Sequence, residues 1–207
     1  MNRTELRTMV SLADATSRAR LADALVRESA ARDGLVDVAV ATVDSPVGEL
    51  FVAVTSRGLA CVGFDDQDRA TLEDRVAESL SPRVLSSARA TDDVRRQLDE
   101  YFGGARRRFE VGIDHRLMSP FVRRVMAETA KVPFGKVSTY GAVARGIRHP
   151  EAARAVGAAL GQNPIPIVLP CHRIIGASGN LTGYAGGLHR KEFLLRLEGD
   201  PMLFVGA

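Results

Sequence analysis

Three short β-rich runs sit close together near the start of the chain: DVAVATV at 37–43, ELFVAVT at 49–55 and LACVGF at 59–64. Turn signals separate them, Ser45-Pro46 with Gly48 and then Arg57-Gly58. Connections this short join antiparallel neighbours, because parallel strands need a crossover of about a dozen residues or more. The runs therefore predict a three-stranded antiparallel meander. Past Phe64 most of the apolar spacing is helical. The expected fold class is α+β: a small N-terminal three-stranded antiparallel sheet with helices, then a mostly helical C-terminal domain.

Helical spacing over 4–32 predicts an N-terminal helical extension, broken near Asp14–Ser17 and stopped by Gly34. Further helices are expected at 69–80 and 91–102, the second opening on Thr91 as N-cap with Asp92 and Asp93 in its first turn. FGGARRR at 102–108 reads as a linker. Three regions follow: an extension over 1–34, an α/β domain over 35–106 and a C-terminal domain over 107–207. Ser119-Pro120 is a cap followed by an N1 proline, the start of a helix that ends before Pro133.

The stretch 138–163 predicts a helix-turn-helix. Thr139 caps a short helix from Tyr140, a break falls at 146–149, and a second helix starts at Pro150 and ends at Gly161. That second helix is built from Ala152, Ala153, Ala155, Gly157, Ala158 and Ala159, with Arg154 the one long cation in its middle. Charge is uneven along the chain. Residues 101–160 hold 11 Lys/Arg against 4 Asp/Glu, whereas 1–100 hold 13 against 18. A basic middle segment points to an anionic partner, nucleic acid first. The N-terminus has charges throughout and no apolar core of a secretory signal, and no apolar run approaches a membrane span. Two cysteines 110 positions apart form no disulfide framework, so a reducing, cytoplasmic setting is expected.

In NPIPIVLPCHRIIG at 163–176, the residues Pro166–Leu169 read as a buried extended segment ended by Pro170. Cys171, His172 and Arg173 then form a polar island between apolar runs. Burying it demands partners or a pocket. A cysteine beside a histidine is a candidate nucleophile, since the thiolate is the reactive species. The histidine needs a carboxylate to orient it, and Glu198 is a candidate, an anion placed where the helix dipole disfavours one. A structural Cys-His pair and a solvated glutamate are the alternatives. Cys61, between Ala60 and Val62 in the third run, reads as a small buried hydrophobe. One Cys-His dipeptide without a second ligand pair does not match zinc spacing, so no metal and no cofactor are expected.

The segment Ser119–Gly199 resembles the C-terminal domain of the O6-alkylguanine-DNA alkyltransferases. PCHRII at 170–175, ARAVGAALGQNPIPIVLPCHR before it and GYAGGLHRKEFLLRLEG after it carry the resemblance. So do the spacings from Tyr140 to Arg154, Asn163 to Cys171, and Cys171 to Tyr184 and Glu198. Residues 36–104 fit the family's variable N-terminal domain more loosely. The resemblance implies DNA repair by direct reversal: Cys171 takes the alkyl group from O6-alkylguanine, once and irreversibly, with O4-alkylthymine a second candidate substrate. It implies that His172 takes the thiol proton through a water, that Glu198 orients His172, and that Asn163 braces the turn into the site. Tyr140 would donate to guanine N3, and Arg154 would fill the gap left by a flipped base. Thr139, Tyr140, Ala153 and Ala155 would meet the minor groove, and Arg145 and Arg148 the phosphates. Pro166, Val168, Tyr184 and Ala185 would line the substrate pocket. The Ala185 backbone N–H would face O6, where some relatives carry serine. The expected partner is double-stranded DNA carrying alkylated guanine, with no membrane and no metal. A monomer is expected, with cooperative assembly on DNA left open.

Three rival readings face specific obstacles. A lesion-binding protein of the alkyltransferase-like kind would lack the reactive cysteine. A major-groove regulator would leave the cysteine island unexplained and would need more than Arg154 for base contacts. A thiol hydrolase would need an oxyanion element that no stretch supplies.

Overall fold

The computed structural model describes residues 36–199. The helical reading of 4–32 and the last eight residues of the C-terminal region lie outside it. Within it, β1 (Val38–Val43), β2 (Leu50–Thr55) and β3 (Gly58–Phe64) form the expected antiparallel meander. A fourth strand, β4 (Val84–Ser86), pairs parallel to β1 and gives the order β3-β2-β1-β4. Its three residues are too few to show a period in the sequence.

Both faces of this sheet are covered, which is why its strands read as nearly continuous apolar runs. Val38, Val40, Phe51, Ala53 and Cys61 share one cluster with Leu72 and Val76 of α1 (Arg69–Ser79). Val43, Leu50, Val52, Leu59, Val62 and Phe64 join a larger core. To it α2 (Ala88–Phe102) gives Val94, Leu98 and Tyr101, and the C-terminal helices give Val122, Val125, Met126, Val156 and Leu194. Cys61 is 1% exposed and burial pushes its thiol up to about 11, so it is an inert core residue.

The N-cap of α2 is Ser87, whose side chain accepts from Ala90 N, and not Thr91. Thr91 lies inside the first turn and is completely buried. Its hydroxyl donates back to the Ser87 and Ala88 carbonyls, at 2.9 and 3.1 Å. A buried threonine satisfies its hydroxyl most cheaply on its own helix.

The C-terminal part holds α3 (Pro120–Thr129), α4 (Tyr140–Gly146), α5 (Ala153–Gly161) and α6 (Leu188–Leu197). Ser119 and Thr139 cap α3 and α4 as expected. The second helix of the helix-turn-helix starts later than expected. Pro150 and Glu151 belong to the turn, and α5 begins at Ala153 after an Ala152 cap without a side-chain bond. Arg148 takes φ 64 in that turn, and the His149 N–H reaches the Ala144 carbonyl at 2.9 Å, so the chain reverses before helix can resume.

Two contacts place the site. The edge strand β3 donates from Val62 N to the Pro164 carbonyl at 2.8 Å, docking the loop before Cys171 on the sheet. The two-residue strands β5 (Ser138–Thr139) and β6 (Ile174–Ile175) pair in parallel, tying the entry of α4 to the residues just after Cys171.

Candidate active site

The loop 163–170 corrects one expectation. Pro166–Leu169 is not extended but folds into tight turns, with Val168 N bonded to the Pro166 carbonyl and Leu169 N to the Ile165 carbonyl. Prolines at 164, 166 and 170 remove the donors a strand ladder needs. Asn163 supplies the alternative scaffold. Its Oδ1 accepts from Ile165 N at 3.0 Å, and its Nδ2 donates to the Leu169 carbonyl at 2.9 Å and toward Cys171 Sγ at 3.1 Å. Ile167 sits at φ 72, uncommon for a β-branched residue, and is held there with its side chain wholly buried.

Cys171, His172 and Arg173 form one 3-10 turn directly after this loop, all three buried. His172 Nε2 lies 2.9 Å from Glu198 Oε1. An ionised carboxylate only accepts, so Nε2 carries the hydrogen and Nδ1 of the neutral ring keeps its lone pair. That Nδ1 is buried without a protein hydrogen-bond partner. Burial holds His172 below its usual pKa, outweighing the pull of Glu198 toward the charged form.

Glu198 is the C-cap of α6 and is 5% exposed. Burial alone would raise its pKa, but hydrogen bonds from His172 and Arg173 dominate and bring it down to about 2. Arg173 Nε and Nη2 grip its two oxygens at 2.8 and 2.9 Å, while Nη1 donates to the Val132 carbonyl at 2.6 Å. Arg173 is thereby fully engaged in holding the carboxylate.

Burial raises the Cys171 thiol above its usual value, opposed by the Asn163 hydrogen bond and by the charge of Lys191. The resting group is therefore a thiol, and a base must take its proton when it reacts.

A cavity of about 440 Å³ joins Cys171 to the helix-turn-helix surface, lined by Tyr140, Ala153, Gly157, Leu160, Thr182, Gly183, Tyr184 and Ala185. The Tyr140 hydroxyl lies 3.1 Å from the Thr182 carbonyl at its rim. The α5 backbone approaches the Tyr140 ring closely, with space for a Cβ on Gly157 at 3.6 Å from the ring. Tyr184 and Ala185, now with Pro166, line a second cavity of about 320 Å³ that reaches Cys171 from the sheet side. Val168 is half-buried in the loop and lines neither.

Arg145, Arg148, Arg154 and Ala155 are exposed on the helix-turn-helix, apart from the buried triad. The structure thus forms two pairs on one 3-10 turn, Asn163 with Cys171 and His172 with Glu198, and the unpartnered His172 Nδ1 belongs to the second. Tyr140, Ala153, Tyr184 and Ala185 line the approach to Cys171.

Sequence reasoning missed Lys191 and Tyr101. Lys191 is fully buried and donates to the Ile174 and Thr182 carbonyls at 2.6 and 2.8 Å; burial lowers its pKa to about 8. Its signal was a lysine at the apolar spacing Leu188, Lys191, Leu194, Leu195. Tyr101, on α2, donates to Glu198 Oε1 at 2.7 Å. Its helical spacing with Val94 and Leu98 is the pattern of a core face and carries no sign of a partner across the chain.

Comparison with known proteins agrees across both parts of the chain. Residues 120–200 match the DNA-binding domain of 6-O-methylguanine DNA methyltransferase, and residues 38–115 match its ribonuclease-like domain. A methylated-DNA–protein-cysteine methyltransferase of Mycolicibacterium paratuberculosis is 46% identical over 158 residues, covering 76% of this chain and 90% of the relative. One from Methanosarcina acetivorans is 38% identical over 160 residues, covering 77% and 97%. The crystal structure of the Mycobacterium tuberculosis O6-methylguanine methyltransferase superposes with a TM-score of 0.68 at 38% identity, over 81% of this chain and 99% of that one. The same enzyme in complex with DNA gives 0.68 over 80% and 97%. With a buried Cys171-His172 turn, a His172–Glu198 bond, a helix-turn-helix and these matches in both parts, the chain belongs to the 6-O-methylguanine DNA methyltransferase family.

Proposed function

We propose that the protein repairs alkylated DNA by moving the alkyl group from O6 of guanine to Cys171 in one irreversible displacement. The cavity running from the helix-turn-helix surface to Cys171 carries this reading. It offers a base swung out of the duplex a path from the DNA-facing side to a buried nucleophile. Such a path is needed because the target carbon cannot be reached inside the stack, and unstacking costs a few kcal/mol.

The chemistry follows from the residues. The sulfur pair forms the S–C bond as the C–O6 bond breaks, and that bond's electrons pass to the guanine. The thiol proton goes to His172 Nδ1 through an intervening water. Glu198 steadies the resulting imidazolium from Nε2, 2.9 Å away. The developing charge on the base meets the Tyr140 hydroxyl at N3 and the Ala185 N–H at O6. Backbone groups at Cys171 hold the exocyclic amine, while Pro166 and Tyr184 flank the alkyl group. Arg154 occupies the space the base vacates. Thr139, Ala153 and Ala155 lie against the minor groove, and Arg145 and Arg148 against phosphates. The thioether product is stable, so each chain acts once.

The test is intact mass after incubation with a duplex holding one O6-methylguanine, beside a Cys171→Ala control. One added methyl on the wild type, mapped to Cys171 and never exceeded, is the expected result. Tight lesion binding with no mass gain would overturn transfer in favour of recognition alone. An O4-methylthymine duplex run in parallel tests the second substrate.

A further inference from the structure

Tyr101 belongs to the N-terminal unit, yet its hydroxyl reaches into the C-terminal network. It donates to Glu198 Oε1 at 2.7 Å, the same oxygen that accepts from His172 Nε2 at 2.9 Å. With Arg173 Nη2 at 2.9 Å, three hydrogens share that oxygen, and Tyr101 supplies the one neutral hydroxyl among them. We infer that Tyr101 is a positioning residue for the transfer reaction, acting through Glu198 to set how strongly His172 draws a proton.

Several observations hold the hydroxyl to this role. Tyr101 is 0% exposed, and Phe102, Phe109 and Phe134 pack around its ring with centroids 5.3, 5.2 and 6.2 Å away. Those neighbours offer the hydroxyl no partner, and Glu198 is its one acceptor among the described residues. The phenol is kept protonated, since burial and the adjacent carboxylate both raise its pKa well above the ordinary value. It is therefore a fixed neutral donor rather than a second acid.

Glu198 collects its remaining donors from every side. Arg173 contributes two from the 3-10 turn, and Gly135 contributes its N–H at 3.3 Å to Oε2. Lys191 on α6, Cys171 and Tyr184 are the other titratable groups that act on the network. A carboxylate with this many donors has less negative charge to offer an imidazolium. Arg173 makes the carboxylate permanent, and Tyr101 tempers it at the oxygen His172 uses. Without the phenol, Glu198 would favour the imidazolium more, and His172 would protonate at higher pH. The ring would then be occupied by a proton when Cys171 needs it as a base.

The inference rests on the alkyl-transfer reading, so the experiment reads the two separately. Single-turnover methyl transfer from the O6-methylguanine duplex is followed against pH for the wild type, for Tyr101→Phe, and for a protein with 3,5-difluorotyrosine placed at 101. The His172 ring is titrated by NMR in the same three unreacted proteins. Tyr101→Phe keeps the ring and removes only the hydroxyl. It should move the acid limb of the rate profile and the His172 midpoint to higher pH, slowing transfer about 3- to 10-fold near pH 6 and under about 2-fold near pH 8.5. Difluorotyrosine, a stronger donor of nearly the same shape, should move both to lower pH. Superimposable profiles and midpoints, with or without a loss of thermal stability, would overturn the inference and leave Tyr101 a packing residue. If the wild type transfers nothing, the alkyl-transfer reading falls, and the His172 titrations alone decide the coupling.

Discussion

Asn163 Nδ2 lies 3.1 Å from Cys171 Sγ and donates toward it. The same side chain bonds Ile165 N and the Leu169 carbonyl, so one amide both shapes the loop and touches the Cys171 sulfur. Asn163→Ala should cost about 1–3 kcal/mol, because buried loop groups lose their partners. It should also raise the Cys171 thiol further, since burial would act with less opposition. Denaturant unfolding gives the first quantity. The pH dependence of alkylation by iodoacetamide, in a Cys61→Ala background, gives the second. An unchanged alkylation profile would show that the amide shapes the loop without acting on the sulfur.

Glu198 makes a specific prediction about acid stability. Its folded pKa, about 2, lies below the ordinary 4.5. A depressed carboxyl contributes stability that is complete above its unfolded value and is lost as pH falls toward the folded one. The loss should therefore run from about pH 4.5 down to about 2 and amount to ~3 kcal/mol. His172 acts in the same direction but starts higher. Its folded pKa is depressed, so the unfolded chain binds the proton first as pH falls through 6.5. Asp114, also held near 2, by Arg116 and Thr55 against its own burial, overlaps the lower window. Glu198→Gln separates the two. It should flatten the stability curve between pH 5 and 3 relative to wild type while lowering stability at pH 7, because Arg173 is left with a buried unpaired charge. A curve parallel to the wild type would assign the whole acid limb to other groups.

The parts of this site that were legible in sequence share one property: each breaks its local pattern. Cys171-His172-Arg173 interrupts an apolar run, and Glu198 sits at the wrong end of a helix dipole. Ser119-Pro120 and the Thr139 cap were readable because capping is local chemistry. The rest depended on partners far along the chain. Tyr101 meets Glu198 across 97 positions, and nothing near Tyr101 distinguishes it from other core aromatics. β4 is defined by β1 rather than by its own three residues. Pro166–Leu169 has the composition of a strand, yet Asn163 and three prolines decide its path.

Arg190 joins the two parts of the molecule beside the candidate pocket. It is 5% exposed, donates to the Gly186 and Val47 carbonyls, pairs with Asp65 and Asp66, and lies 4.7 Å over the Phe64 ring. Both aspartates are about half exposed, so removing the arginine leaves no fully buried anion. Arg190→Met keeps much of the packing and should cost about 1–3 kcal/mol, mostly from the two unsatisfied carbonyls. Thermal unfolding measures it. A shift as large as that of Glu198→Gln would mean the aspartate pairs carry far more than their exposure allows.

Arg154 supports the cleanest separation of binding from folding. It is exposed in the first turn of α5 and makes no hydrogen bond or ion pair with any of the described residues. Arg154→Ala should therefore leave stability within about 0.5 kcal/mol of wild type. Its proposed work is to fill the gap left by an extruded base, so transfer from an O6-methylguanine duplex should slow by about 10-fold or more, in proportion to the unstacking cost it offsets. Transfer from a free O6-alkylguanine base, which has no stack to leave, should keep its wild-type rate because the Cys171 network is untouched. A loss of both activities would place Arg154 in the chemistry. A loss of neither would move the extrusion role to another residue on the helix-turn-helix face.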